Sequence, residues 1–216
     1  MTGTKANVKI KICGIRTPAE AGYLNDAKAD YAGCVFYEPS KRFVTDDQAE
    51  KVLKALDANI GRVAVTVSPT ADDVRRIESL GFDILQVHKD LSLEILDKVS
   101  IPVWYAVNIA DASKYEEAVR FIDELPKELA AKIEGILADA PDFGSGRTFD
   151  WKECSRIGTG DRLFILAGGL RSENVAEGIR IFEPDIVDVS SAVEKDNGKD
   201  RELIDEFVRA VRKEQG

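Results

Sequence analysis

The sequence predicts an α/β fold, a (β/α)8 TIM barrel formed as one domain over residues 1–216. Three observations carry that reading. Short apolar runs rich in β-branched residues recur along the chain, amphipathic stretches with explicit start signals separate them, and no low-complexity or Gly/Ser/Pro-rich tract marks a boundary.

The apolar runs fall at 8–13, 31–36, 62–67, 83–88, 102–107, 133–137, 163–167 and 185–189, about eight in all. Their near-continuous hydrophobicity suits strands covered on both faces, as in a parallel sheet, rather than strands with one wet face. Between them, Thr17-Pro18-Ala19-Glu20 supplies an N-cap threonine, a proline at the first helical position and a glutamate able to bond back. The stretches from Thr45 to Gln48 and from Thr70 to Asp73 repeat that spacing. Each would satisfy backbone N–H groups that a helix start leaves unpaired.

Strict alternation of strand and helix implies parallel pairing, and about eight such units in just over 200 residues match a small closed barrel. An open doubly wound sheet is the competing arrangement. No G-x-G-x-x-G follows the first run, so the dinucleotide site usual for that alternative is missing.

Composition narrows the partners. The 30 Lys plus Arg against 39 Asp plus Glu give a net charge of −9, which argues against nonspecific binding to nucleic acid or to an anionic membrane. An anionic small molecule stays compatible, because backbone amides and helix dipoles set the local field at a phosphate site. Three cysteines, Cys13, Cys34 and Cys154, show no CxxC spacing, and His88 is the one histidine, so neither a disulfide framework nor a common metal site is suggested. With no apolar span of about 20 residues and no signal-peptide core, the chain reads as cytoplasmic. Monomer and homodimer both stay open.

Active sites of (β/α)8 barrels gather where the strands end at their C-terminal side. Those positions present Cys13, Lys41 with Arg42, His88, Asn108, Asp139, Gly168 with Gly169, and Ser190 with Ser191. Gly168 and Gly169 let backbone approach a ligand just before a helix start at Ser172-Glu173-Asn174, and Ser190-Ser191 closes the next strand. Together they form a candidate phosphate grip at the loops after strands seven and eight. The glycines alone would equally relieve a tight turn.

Cys13 ends the first run with Gly14 permitting a sharp exit, and it should face the barrel mouth. A free thiol titrates at about 8.5, so a few per cent is thiolate at neutral pH and available as a base. A buried apolar cysteine fits the same position. Asp139 follows the sixth run and could act as an acid, with Asp142 competing for the role and a loop cap as the plainer assignment for either. Arg42 could clamp a carboxylate with two parallel bonds, or it could be solvated charge like Lys41. His88 reads as a polar mouth or core residue.

The ordered set Lys11-Ile12-Cys13-Gly14-Ile15, Val35 through Arg42, Gln86-Val87-His88, Gly144-Ser145-Gly146 with Phe149-Asp150-Trp151, Leu166-Ala167-Gly168-Gly169-Leu170 with Glu173-Asn174-Val175, and Val187 through Ser191 resembles the phosphoribosylanthranilate isomerases. The resemblance spans Lys9 to the last helix. It implies an isomerase of tryptophan biosynthesis that needs no cofactor or metal and carries out an Amadori rearrangement of a small phosphorylated substrate. Cys13 is then the general base and Asp139 the general acid, preferred over Asp142 by its spacing before Gly144. The resemblance further implies that Arg42 meets the anthranilate carboxylate, that Gly168, Gly169, Ser190 and Ser191 hold the phosphate, and that His88 belongs to the substrate-binding mouth.

Lys89, Phe143 and Ala192 stand where that family often has glycine. Two other readings keep the phosphate site. One is a histidine-pathway isomerase, which usually relies on paired aspartates where this chain has Cys13 and Asp139. The other is a binding paralogue without chemistry.

Overall fold

The structure is a computed structural model that describes residues 7–108, 112–139 and 160–215. Its elements run β1 (Lys9–Cys13), α1 (Pro18–Ala27), β2 (Tyr31–Val35), α2 (Asp46–Ala55), β3 (Gly61–Val67), α3 (Ala71–Leu80), β4 (Ile84–His88), α4 (Leu93–Lys98), β5 (Val103–Asn108) and α5 (Ala112–Asp123). They continue through α6 (Lys127–Ala130), β6 (Ile133–Asp139), β7 (Leu163–Leu166), α7 (Val175–Phe182), β8 (Ile186–Val189), a hairpin β9 (Glu194–Lys195) and β10 (Gly198–Lys199), and α8 (Arg201–Gln215).

The eight strands β1 to β8 form a closed barrel in chain order. Closure is made by β1 pairing parallel to β8, with Ile10 opposite Val187 and Lys11 opposite Asp188. That pairing rules out the open doubly wound sheet, which would leave two unpaired edges. Among the described residues no helix is long and apolar enough to cross a membrane.

The three anticipated capping boxes are all present as reciprocal pairs. The Thr17, Thr45 and Thr70 side chains accept from the N3 backbone, and Glu20, Gln48 and Asp73 bond back to the cap residue. Each arrangement pairs two amides that would otherwise face solvent or apolar neighbours. The start of α7 differs from expectation. Ser172 to Asn174 form a turn, and the helix begins at Val175. Asn174 instead uses its side chain to tie that turn, accepting from Arg171 N at 2.8 Å and donating to Gly169 O at 3.0 Å.

Strand periodicity separates two apolar layers. One lies between barrel and helices and includes Ile10, Ile12, Val87, Ile136, Val187 and Val189. The other fills the barrel with Val63, Val65, Ile84, Trp104, Leu137, Ile165 and Ile186. Trp104 is fully buried and meets Tyr31 edge to face, with ring centroids 5.0 Å apart. Its register partner is Gly135, where an added Cβ would lie 3.0 Å from the indole, so a small residue on β6 makes room for the large one on β5.

The β9–β10 hairpin was not anticipated. Lys195 pairs with Gly198, leaving Asp196 and Asn197 as a two-residue loop with φ of 50° and 65°. Asp and Asn tolerate this left-handed backbone better than other non-glycine residues, as a type I′ turn requires.

Candidate active site

Inward-facing positions on each strand recur every second residue, so the last inward residue of each strand reaches the C-terminal rim of the barrel. On β1 this series is Lys9, Lys11 and Cys13, and on β6 it is Gly135, Leu137 and Asp139. Asp139 therefore belongs to the strand itself, paired with Asn108, rather than to the loop after it. A pocket at this rim is lined by Cys13, Arg42, His88, Asp139, Gly168, Gly169, Ser190 and Ser191. Eight of the ten rim residues singled out from the sequence thus share one cavity; Lys41 is not among its lining residues, and the side chain of Asn108 lies outside what the structure describes. Asp142, Phe143 and the glycine motif after them lie outside the described residues.

Gly168 and Gly169 have φ of 88° and 67°, a backbone conformation that strongly favours glycine. Among the described residues neither of their N–H groups has a partner, so both are available to an anion. Ser190 donates its hydroxyl to Cys13 O at 2.9 Å, which joins the end of β8 to the end of β1.

Beneath Cys13 lies a group that sequence reasoning missed. Lys11, fully buried, donates to Asp188 Oδ2 at 2.6 Å across the closing strand pair. Gly33 opposite Cys13 leaves room for both neighbours, since a Cβ there would approach Cys13 Sγ to 3.1 Å and Lys11 Cε to 3.3 Å. Burial pushes the Cys13 thiol above its ordinary range, opposed by the Lys11 ammonium. The thiolate is therefore scarcer at neutral pH than the few per cent of a free cysteine. Burial works against the Lys11 charge too, yet Asp188 and the Cys13 sulfur hold its pKa above the ordinary value. Burial raises Asp188, partly offset by Lys11.

Two strand-parity clues could have found this pair. Lys11 shares the face of Cys13 two residues away, and Asp188 shares that of Ser190. By the same parity Gln86 faces inward beside His88, and its Nε2 lies 2.8 Å from His88 Nε2. With the Gln86 amide donating, the imidazole accepts at Nε2 and carries its proton on Nδ1. Burial and then the Lys11 charge bring His88 down to about 3, so the ring is neutral near neutral pH.

Arg42 is not solvated charge. Its Nε donates to Glu194 Oε1 at 2.6 Å and its Nη2 to Glu194 Oε2 at 3.0 Å, with only 12% of the side chain exposed. One edge of the guanidinium is thereby committed within the protein. Lys41 is the surface cation of the two, 61% exposed and 3.2 Å from the same carboxylate.

A closed (β/α)8 barrel with a half-buried thiol, a buried carboxyl and two glycine-led amides around one rim pocket has the layout of a barrel enzyme that moves protons on an anionic substrate. The family model for N-(5'-phosphoribosyl)anthranilate (PRA) isomerase matches residues 10–210. The isomerase of that name from Streptococcus mutans serotype c is 37% identical over 206 residues, covering 95% of this chain and 99% of that protein. The crystal structure of phosphoribosyl anthranilate isomerase from Thermotoga maritima superposes with a TM-score of 0.84 at 30% identity, covering 96% of this chain and all of that one. Another solved isomerase, in complex with reduced 1-(o-carboxyphenylamino)-1-deoxyribulose 5-phosphate, gives a TM-score of 0.78 at 28% identity over 96% of this chain and 100% of that one. The chain belongs to the N-(5'-phosphoribosyl)anthranilate isomerase family.

Proposed function

We propose that the chain converts N-(5'-phosphoribosyl)anthranilate to 1-(2-carboxyphenylamino)-1-deoxyribulose 5-phosphate, a step of tryptophan biosynthesis in the cytoplasm, with Asp139 as general acid and Cys13 as general base. The observation that carries the assignment of roles is the placement of Cys13 and Asp139 at the inward-facing ends of β1 and β6, around one pocket with the Gly168-Gly169 and Ser190-Ser191 loops.

Asp139 donates a proton to the furanose ring oxygen, and the bond from that oxygen to the anomeric carbon breaks as the anilino nitrogen supplies its lone pair. The open-chain product is a protonated Schiff base. The Cys13 thiolate then removes the proton from ribose carbon two, and the released electron pair forms the enolamine, which tautomerises to the ketone. A group that takes a proton and one that gives it suffice for each step.

Lys11 sits beside the sulfur and stabilises the thiolate, while Lys199 and Arg42 add weaker attraction. The phosphate is assigned to the free amides of Gly168 and Gly169 with Ser190 and Ser191, and the anthranilate carboxylate to the edge of Arg42 that Glu194 leaves open. His88, neutral, lines the mouth without supplying charge.

The test is the decay of substrate fluorescence after adding purified protein, with Cys13→Ala and Asp139→Asn measured beside the wild type. Each variant is expected to lose about 10²- to 10⁴-fold in turnover while melting normally. Near-normal turnover in either would remove that residue from its role.

A further inference from the structure

One carboxylate outside the proposed acid–base pair ties three parts of the mouth together. Glu194 Oε1 accepts from Arg42 Nε at 2.6 Å and from Lys199 Nζ at 2.8 Å, and Oε2 accepts from Arg42 Nη2 at 3.0 Å. Lys199, whose side chain is 1% exposed, spends its remaining donors on Ser190, reaching the carbonyl at 2.9 Å and Oγ at 3.3 Å. The Lys199 backbone N–H donates to Glu20 Oε1 at 2.9 Å, and Glu20 Oε2 accepts from Arg16 N at 2.6 Å in the loop that follows Cys13. The β9–β10 hairpin thus braces the Arg42 loop, the Ser190 loop and the Cys13 loop against one another.

We infer that Glu194 is a positioning residue for substrate, holding the Arg42 guanidinium side-on so that its opposite edge faces the pocket, while Lys199 couples that orientation to the Ser190 loop. Arginine has flexible torsions, and the loop carrying Arg42 belongs to no helix or strand. Chelation through Nε and one Nη2 hydrogen fixes the plane of the group. Nη1 and the second Nη2 hydrogen have no partner among the described residues, and they form the end-on fork that a second carboxylate fits. Glu194 is itself kept ionised. Although burial opposes it, the hydrogen bond from Arg42 and the charge of Lys199 bring it down to about 2.

Two effects oppose each other when Glu194 is neutralised. Loss of a nearby negative charge would draw a ligand carboxylate toward Arg42, whereas loss of chelation frees the guanidinium to turn away. Orientation dominates here because a bidentate bond requires the fork in one plane, while the Glu194 charge is already offset by Arg42 and by Lys199 Nζ at 2.8 Å.

This inference rests on Arg42 as the carboxylate partner, and the experiment separates the two claims. Wild type, Glu194→Gln, Glu194→Asp, Arg42→Met and the Glu194→Gln/Arg42→Met double variant are titrated calorimetrically with two ligands. One is reduced 1-(2-carboxyphenylamino)-1-deoxyribulose 5-phosphate, and the other is the same molecule without its carboxyl group. Glu194→Gln is expected to weaken the first by about tenfold and leave the second unchanged. The double variant should bind no more weakly than Arg42→Met alone.

Glu194→Asp keeps the charge that Lys199 needs and withdraws the carboxylate from Arg42 by one methylene, so the same selective loss is expected in a folded, charge-balanced protein. Equal losses on both ligands would make Glu194 a structural residue only. Tighter or unchanged binding of the carboxylated ligand in both Glu194 variants, with Arg42→Met still weakened, would overturn the positioning role alone. An Arg42→Met variant that binds both ligands normally would overturn the carboxylate assignment and this inference with it.

Discussion

Lys11 Nζ lies 2.6 Å from Asp188 Oδ2 in the interior of the barrel, between residues directly opposite each other in the β1–β8 register. The strand pair that closes the barrel therefore also closes an ion pair under the Cys13 thiol. Asp188 Oδ1 has no hydrogen-bond partner among the described residues, so Lys11 carries most of the compensation for that buried charge.

Replacing Lys11 with Met is expected to destabilise the protein by about 3–5 kcal/mol, because it leaves a buried carboxylate without its cation. The Lys11→Met/Asp188→Leu double variant should recover most of that loss, since apolar packing replaces both charges. Urea unfolding of the three proteins checks this. A single variant as stable as wild type would mean that water or another group compensates Asp188.

Cys13 predicts a pH dependence whose sign follows from its role. The base form is the thiolate, burial raises the thiol pKa, and the reactive fraction therefore grows as pH rises. On this basis kcat/KM should climb between about pH 7 and 9, and Cys13→Ser should lose that limb along with about 10²- to 10⁴-fold in rate. A flat wild-type profile across that range would argue against a titrating thiol.

Gly14 has φ of +86°, and a Cβ built there would stand 2.5 Å from Arg42 Cδ. Gly14→Ala should cost about 1–2 kcal/mol from the backbone alone, with a further penalty as Arg42 shifts. Displacing the guanidinium is expected to raise KM more than it lowers kcat. Steady-state kinetics beside urea unfolding separate the two effects, and an unchanged KM in a folded variant would show that Arg42 does not hold substrate.

Lys89 holds φ of 63°, in the left-handed region that favours glycine. The Lys89→Gly variant should gain up to about 1 kcal/mol, since relief of a left-handed backbone outweighs the added freedom of the unfolded chain. A thermal melt decides it. A lower melting temperature would mean that the lysine side chain contributes more than its backbone costs.

Much of the fold was legible in the residues because its signals are local. Apolar runs placed all eight strands to within a residue or two, and the Thr17, Thr45 and Thr70 boxes placed three helix starts. Rim residues such as Cys13 and Asp139 followed from strand ends and the barrel rule. The helix start read at Ser172-Glu173-Asn174 falls instead at Val175, because Asn174 ties the preceding turn back to Gly169 and makes no side-chain cap. Asp196-Asn197-Gly198 carried the chemistry of a tight hairpin loop that went unread.

Strand positions, caps and the ring of rim residues were determined by the sequence itself, since each depends on side chains within a few positions along the chain. Tertiary structure alone decided the electrostatics. The Lys11–Asp188 pair joins residues 177 apart and the Arg42–Glu194 pair residues 152 apart, and neither exists until the barrel closes and the hairpin folds over its rim. Burial has the same origin, so the raised thiol of Cys13 and the neutral His88 are properties of the closed barrel. Local pattern sets where a side chain points, whereas the charges it meets depend on which distant strand closure brings beside it.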